Sequence, residues 1–250
     1  TGNITALTER RRFIDRDLNR QWLDERLAEL DGFDAAALAE CSSEDREMLA
    51  LWREIVAALA RARGSIYFVD LHTTSADGIP FSMIFPRPQH QAFALKFHLP
   101  IVLGLIDSLD GTLLKQMFEQ GCVVLGVEGG QNDQPVSALH HEEVLWIALT
   151  ATGILPPSVI TELGLDLWRL EMSRGGLPRM LEIHSRHGIT PEDRFEMQPG
   201  YLNIQRIKRD ELLARDRNGE IRAPEDGLIL MPLYQAQGDD GFFIGREIMA

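Results

Sequence analysis

Three short stretches carry the residue types that could do chemistry: an arginine-rich segment over residues 10–20, Asp70 and His72 in DLHTT, and Glu128 in VEGG. His72 follows the apolar run Ile66, Tyr67, Phe68 and Val69. Such a run suits a strand covered on both faces, and ligands of open α/β sheets bind outside the carboxyl ends of such strands. The structural alternative is that Asp70 and His72 merely satisfy each other. Glu128 ends the apolar run CVVLGV and precedes Gly129 and Gly130, which allow close backbone approach. A carboxylate emerging from such a strand is partly desolvated, so Glu128 is a candidate general base, with a helix cap or salt bridge as the bland alternative. In RRRFIDRDLNR, arginines and Asn19 are interleaved with Phe13, Ile14 and Leu18, which anchors some side chains and presents others. Guanidinium forks bind carboxylates and polarised carbonyls through paired hydrogen bonds, so Arg12, Asn19 and Arg20 could form an anion pocket. Taken alone, the segment is better explained by ion pairs with Asp15 and Asp17.

The elements that must position these residues are legible as punctuation and period. From Ser42 a helix with serines and acids at its start runs through Met48, Trp52, Ile55, Val56 and Leu59 to a stop at Gly64. Strand-like runs follow at Phe81–Phe85, Ile101–Ile106 and Cys122–Val127, separated by helices at Gln89–Phe97 and Thr112–Gln120. This alternation predicts a layered α/β sheet. Adjacent His140, His141, Glu142 and Glu143 fall at the start of a helix through Leu149 and read as a solvated face, because neighbouring side chains on a helix diverge. His90, His98, His184 and His187 read as structural. Leu155, Pro156 and Pro157 close the α/β portion, SRGGLP at Ser173–Pro178 marks a linker, and the rest, with an Asn218-Gly219 turn, reads as β-rich.

Composition limits the partners. A chain of 250 residues with 44% hydrophobic content can bury one sizeable core and a second small one. Its net charge of −13 and the absence of a Lys/Arg block argue against nucleic acid. Cys41 and Cys122 make neither a disulfide framework nor a cysteine zinc site, which fits a reducing cytoplasm. No apolar run is long enough to span a membrane, and TGNITALTERRR lacks the apolar core of a signal peptide. Thr1, followed at once by Gly2 and Asn3, leads us to expect that these residues begin inside a larger protein.

RFIDRDLNR at Arg12–Arg20, DLHTT at Asp70–Thr74 and VEGG at Val127–Gly130, in this order and spacing, resemble the succinylglutamate desuccinylase and aspartoacylase family over nearly the whole chain. The resemblance implies a zinc carboxypeptidase-like fold: a layered mixed sheet with flanking helices over residues 1–175, and a small β-domain over 176–250 similar to biotinyl and lipoyl carrier domains. A carrier function is not expected, because no Met-Lys pair lies at a hairpin tip. The implied activity is zinc-dependent hydrolysis of the amide of small N-acylated amino acids. By the resemblance His72 matches a zinc ligand, Glu128 the general base, Arg12 the arginine that polarises the scissile carbonyl, and Asn19 with Arg20 the pair that holds the substrate carboxylate. One zinc per chain is implied, with its two further ligands from an H-x-x-E motif; no histidine precedes Arg12, so that motif is expected upstream of Thr1. Phe242 and Phe243 stand where the aspartoacylase branch has substrate-binding tyrosines, so a strict acyl-aspartate enzyme is not expected. The alternatives are a zinc carboxypeptidase acting on peptides and a metal-free binding or regulatory protein on the same fold. A homo-oligomer is compatible with all three.

Overall fold

The computed structural model describes residues 3–165 and 167–248; Thr1 and Gly2, which prompted the expectation of an upstream segment, lie outside the described residues. The chain opens with α1 (Ile4–Thr8), a 3-10 turn at Leu18–Arg20, α2 (Asp24–Asp31), α3 (Ala35–Glu40) and α4 (Ser43–Arg61). Alternation follows as β1 (Tyr67–Thr74), β2 (Phe81–Met83), α5 (Pro88–Ala94), β3 (Ile101–Leu103), α6 (Leu113–Glu119), β4 (Val123–Gln131), α7 (Pro135–Ala151), α8 (Ser158–Glu162) and α9 (Arg169–Arg174). The carboxyl-terminal part supplies β5 (Met180–Gly188), β6 (Glu196–Met197), β7 (Gln205–Ile207), β8 (Leu212–Asp216), β9 (Gly219–Arg222), β10 (Gly227–Leu230) and β11 (Asp240–Glu247). Asn218-Gly219 turns the chain between β8 and β9, its Asn218 N–H donating to Asp216 Oδ1 at 2.7 Å.

The fold is mixed α/β, with a large mixed sheet flanked by helices. Eight strands are ordered β1-β4-β2-β3-β5-β11-β10-β7, and β6, β8 and β9 make a separate antiparallel sheet. Pairing is parallel for β2 with β3 and β3 with β5, and antiparallel for β4 with β2, β5 with β11, β11 with β10 and β10 with β7. The Val123 N–H donates to Ile66 O at 2.8 Å and the Asn132 N–H to Thr74 O at 2.7 Å, so β1 and β4 run in the same direction. Among the described residues β1 is the terminal strand, and Tyr67 is 40% exposed. This corrects the reading of Ile66–Val69 as a strand covered on both faces. The apolar run is short and begins at the open margin, where an edge strand tolerates half-burial. β4, by contrast, is inner, and Val124, Leu125 and Val127 are fully buried.

The chain resolves into two compact units, Thr1–Phe68 with Leu109–Val123, and Val69–Ser108 with Val124–Ala250. In the first, α4 starts where the sequence punctuation puts it. Ser42 Oγ accepts the Asp45 N–H at 3.0 Å, and Met48 and Leu49 are buried with Trp22, Leu27 and Leu30. Leu18, Trp52 and Leu113 pack against this cluster. Gly111 lets residues 20–22 come close: a Cβ there would lie 2.3 Å from Arg20 O, and its carbonyl accepts the Trp22 N–H at 3.0 Å.

In the second unit, Met197, Tyr201, Ile207, Leu213, Ile229, Phe242 and Ile244 form one buried cluster. His187 lies flat on Phe242, with ring centroids 4.9 Å apart and planes within 5°, and its ring is 5.6 Å from Phe195. Burial pulls its pKa below the ordinary 6.5, against the opposing charges of Asp216 and Asp193. The folded state therefore disfavours the imidazolium, so the unfolded chain takes up the proton first as pH falls. The contribution is flat above about pH 6.5 and destabilising below it. His187→Phe keeps the stacked ring and removes the titration. Melting temperatures between pH 7 and 5 are expected to fall less steeply for the variant than for the unmodified protein; equal slopes would assign the effect to another group.

Candidate functional site

On the sheet, His72 and Glu128 lie on neighbouring strands, β1 and β4. Neither stands at a strand end as the sequence suggested: β1 continues to Thr74 and β4 to Gln131. Both strands persist because backbone pairing with neighbours continues past the apolar run, whatever the side chains. Asp70 and His72 share one face of β1, as a spacing of two requires, and His72 Nε2 is 3.0 Å from Asp70 Oδ2. Glu128 is 5% exposed and opposes Phe81 of β2.

α7 organises this region through its two adjacent histidines, which diverge by about 100° on a helix and reach different strands. A ring nitrogen of His140, Nδ1, lies 2.7 Å from Gly129 O on β4, and His141 Nε2 lies 2.8 Å from His72 O on β1. Burial lowers the His141 pKa, aided by nearby His72 and His140, while the bond to the His72 carbonyl opposes the shift. A neutral imidazole has one N–H, so His141 donates from Nε2 and keeps Nδ1 as an acceptor. His140 and Glu143 are buried, at 6% and 2% exposure, which corrects the reading of residues 140–143 as a solvated face. Glu143 approaches the Leu170 N–H at 3.5 Å, and burial raises its pKa against that bond. Only Glu142 of the four is exposed.

Gly129 makes the close approach of α7 feasible. A Cβ at that position would lie 2.2 Å from His141 Nε2, so the imidazole occupies the space of the missing side chain. Side chains alternate along a strand, so Glu128 faces away from the side that His141 covers. Sequence reasoning noted the glycines but missed their partner. The available signal was the pair of histidines 11 residues downstream, set aside because adjacent side chains diverge; here that divergence lets one turn of helix grip two strands.

In the other compact unit, Arg12, Asn19 and Arg20 lie in a segment held by many polar contacts. Arg12 Nε donates to Asp17 Oδ2 at 2.8 Å, the ion pair that the sequence offered as the alternative reading. Asp17 Oδ1 accepts the Asn19 N–H at 3.1 Å, and Asn19 Oδ1 accepts the Leu113 N–H at 2.9 Å. Because that backbone donor must meet an oxygen, the Asn19 amide is oriented and its Nδ2 is the end that can donate to a ligand. Arg20 Nη1 donates to Asn19 O at 2.9 Å. Asp15 Oδ2 accepts the Ser43 N–H at 3.1 Å. A guanidinium carries five N–H donors in a fixed fork, a residue type suited to binding an anion.

A catalytic zinc site takes three protein ligands. Among the described residues no group of three His, Cys, Asp or Glu side chains could hold a metal ion. His72 with Asp70 does not by itself fit the implied zinc. Phe242 and Phe243 are buried in β11, the first stacked on His187, and serve packing. Among the described residues no helix is long and apolar enough to cross a membrane.

No protein-family profile matches the sequence, and no curated protein does. Solved structures match along almost its whole length. A succinylglutamate desuccinylase/aspartoacylase from Rhodobacter sphaeroides has a TM-score of 0.64 and 17% identity, over 97% of this chain and 72% of that one. The product-bound ectoine utilization protein EutE (DoeB) from Ruegeria pomeroyi gives 0.63 and 19%, over 98% and 72%. A succinylglutamate desuccinylase from Vibrio parahaemolyticus gives 0.60 and 12%, over 98% and 69%. The fold is thus that of the succinylglutamate desuccinylase/aspartoacylase proteins, and at these identities the likeness is one of fold.

Gly129→Ala places a methyl group where the His141 ring lies, and overpacking of this kind costs about 1–3 kcal/mol. His141→Ala removes the obstacle. In urea denaturation the double variant is expected to be less destabilised than the sum of the two single variants, as for groups in contact. Simple additivity, or a Gly129→Ala protein as stable as its parent, would refute the interlock.

Proposed function

We propose that this protein hydrolyses the amide bond of small N-acylated amino acids. The observation that supports this reading most is the fold match, along 94–98% of the chain, to solved proteins named as desuccinylases and an aspartoacylase family protein. In the proposed reaction a water oxygen attacks the acyl carbon, the carbon–nitrogen bond breaks and the amine nitrogen takes a proton, leaving a carboxylate and a free amino acid. Glu128 is the base that accepts the water's proton. Arg12 meets the carbonyl oxygen as negative charge grows on it. Asn19 and Arg20 hold the carboxylate of the amino acid. Zinc, the cofactor implied by the resemblance, would take His72 as one ligand and require two more from outside the described residues.

These roles predict different failures. Glu128→Gln removes a proton acceptor while keeping shape, and turnover is expected to fall about 10²–10⁴-fold. Arg20→Lys loses the paired geometry and is expected to raise KM, whereas Arg12→Lys lowers kcat, because only the carbonyl contact strengthens in the transition state. Steady-state kinetics on an acyl amino acid and its carboxamide analogue test both points. Equal turnover of the two compounds would remove the carboxylate assignment, and binding without turnover would move the protein to the class of binding proteins.

The metal requirement has its own test. With no group of three candidate ligands among the described residues, these 250 residues are expected to retain substoichiometric zinc after desalting from excess metal. Tight binding of one equivalent would overturn the ligand assignment.

A further inference from the structure

α4 begins with two acids that are both buried, Glu44 at 0% and Asp45 at 3% exposure. Asp45 has a cationic partner: Arg26 Nη2 lies 2.6 Å from its Oδ2. Glu44 is instead surrounded by amides. Its Oε1 accepts the Ile14 N–H at 2.6 Å and the side-chain amide of Asn3; its Oε2 accepts the Asp15 N–H at 3.1 Å and the Arg16 N–H at 3.4 Å. A carboxylate has about four acceptor sites, and all four are used. Three successive backbone N–H groups converging on one anion make a concave nest of the kind that binds free anions. Here the anion is built in.

From this geometry we infer that Glu44 is the positioning residue for the arginine-bearing segment, fixing Arg12, Asn19 and Arg20 in the arrangement that receives a substrate carboxylate and carbonyl. The inference rests on the acyl-amino-acid reading for what the segment binds, and on the contacts alone for how it is held. The link from Glu44 to those residues is short. Arg16, whose N–H reaches Glu44, adjoins Asp17, which both pairs with Arg12 and caps the Asn19 N–H. The contact is reciprocal, since Asp15 Oδ2 accepts the Ser43 N–H at the amino terminus of α4, where the helix dipole favours a negative charge. Helix capping alone does not explain Glu44, because its oxygens take donors from a segment 28 to 30 residues earlier.

Glutamine is the informative replacement. It has nearly the same shape, but one oxygen becomes an NH₂ that faces N–H groups it cannot accept. In Glu44→Gln protein, binding of N-acetylglycine measured by calorimetry is expected to weaken at least about tenfold, with Glu44→Asp intermediate and the far-ultraviolet spectrum unchanged. Unchanged affinity in a folded Glu44→Gln protein would overturn the positioning role. Hydrogen exchange in the unmodified protein gives a second readout that needs no variant to fold. The amides of Ile14, Asp15 and Arg16 are expected to be strongly protected although they lie outside any helix or strand, and exchange at the rate of an unstructured peptide would overturn the inference. Protected amides in a protein that does not bind N-acetylglycine would support Glu44 as the group holding the segment and count against the acyl-amino-acid reading.

Discussion

The sheet region that carries His72 and Glu128 depends on how closely α7 approaches β4 at Gly129. An imidazole stands where a Cβ would be, and that proximity brings the two histidine rings within reach of carbonyls on two adjacent strands. β1 is an edge strand and owes less to burial than β4 does, so a fixed donor on His72 O constrains it at the residue that carries the candidate chemistry. A single neutral hydrogen bond contributes about 0.5–1.5 kcal/mol net, and less if the donor is mobile. Burial of His141 favours the neutral ring, which has one N–H to give and gives it to β1. Packing thus favours the neutral ring, whose one N–H meets the His72 carbonyl of β1.

The first compact unit solves a different problem, which is to bury two adjacent acidic side chains with their polar atoms satisfied. A buried charge deprived of its partner costs about 3–5 kcal/mol. Glu44 and Asp45 diverge around the first turn of α4, so each can find its own compensation, backbone dipoles for one and a guanidinium for the other. At Asp45 burial pushes the pKa up, yet hydrogen bonds from Arg26 and Ser42 outweigh it and the net shift is downward. Backbone amides suit Glu44 because they are fixed once the segment is folded, whereas a long cationic side chain must lose rotamer freedom to serve the same purpose.

Whatever the sequence made legible came from period and punctuation. Ser42 before α4, the apolar run of β4 and the Asn218-Gly219 turn all specify structure through neighbours a few residues away, and the observed elements follow them. The misreadings share the opposite origin. Whether Ile66–Val69 lies at the margin or the middle of a sheet depends on strand order, which no local pattern encodes. His140 and Glu143 are packed by partners 11 to 33 residues away in sequence, so their burial could not be assigned from their immediate context. Glu44 reads as an ordinary acid in a first turn, since nothing near it announces a contact 30 residues away.

A chain of net charge −13 should repel a carboxylate-bearing ligand, and the arginine segment is where that tendency can be reversed. At physiological ionic strength exposed charges are screened over about 8 Å, so a small anion responds to the charges nearest to it and little to the total. Residues 10–20 hold five arginines against two aspartates, a local surplus of three positive charges. Both aspartates are engaged, Asp17 with Arg12 and the Asn19 N–H, Asp15 with the Ser43 N–H of α4. Their charges tie the segment down, so fixing the arginines reduces the local positive charge only in part. Glu44 adds a negative charge beneath the segment, but its oxygens face four N–H donors. Those dipoles compensate it in place, which lets a buried anion order a cationic loop without itself occupying the guanidinium groups that an anionic ligand would need.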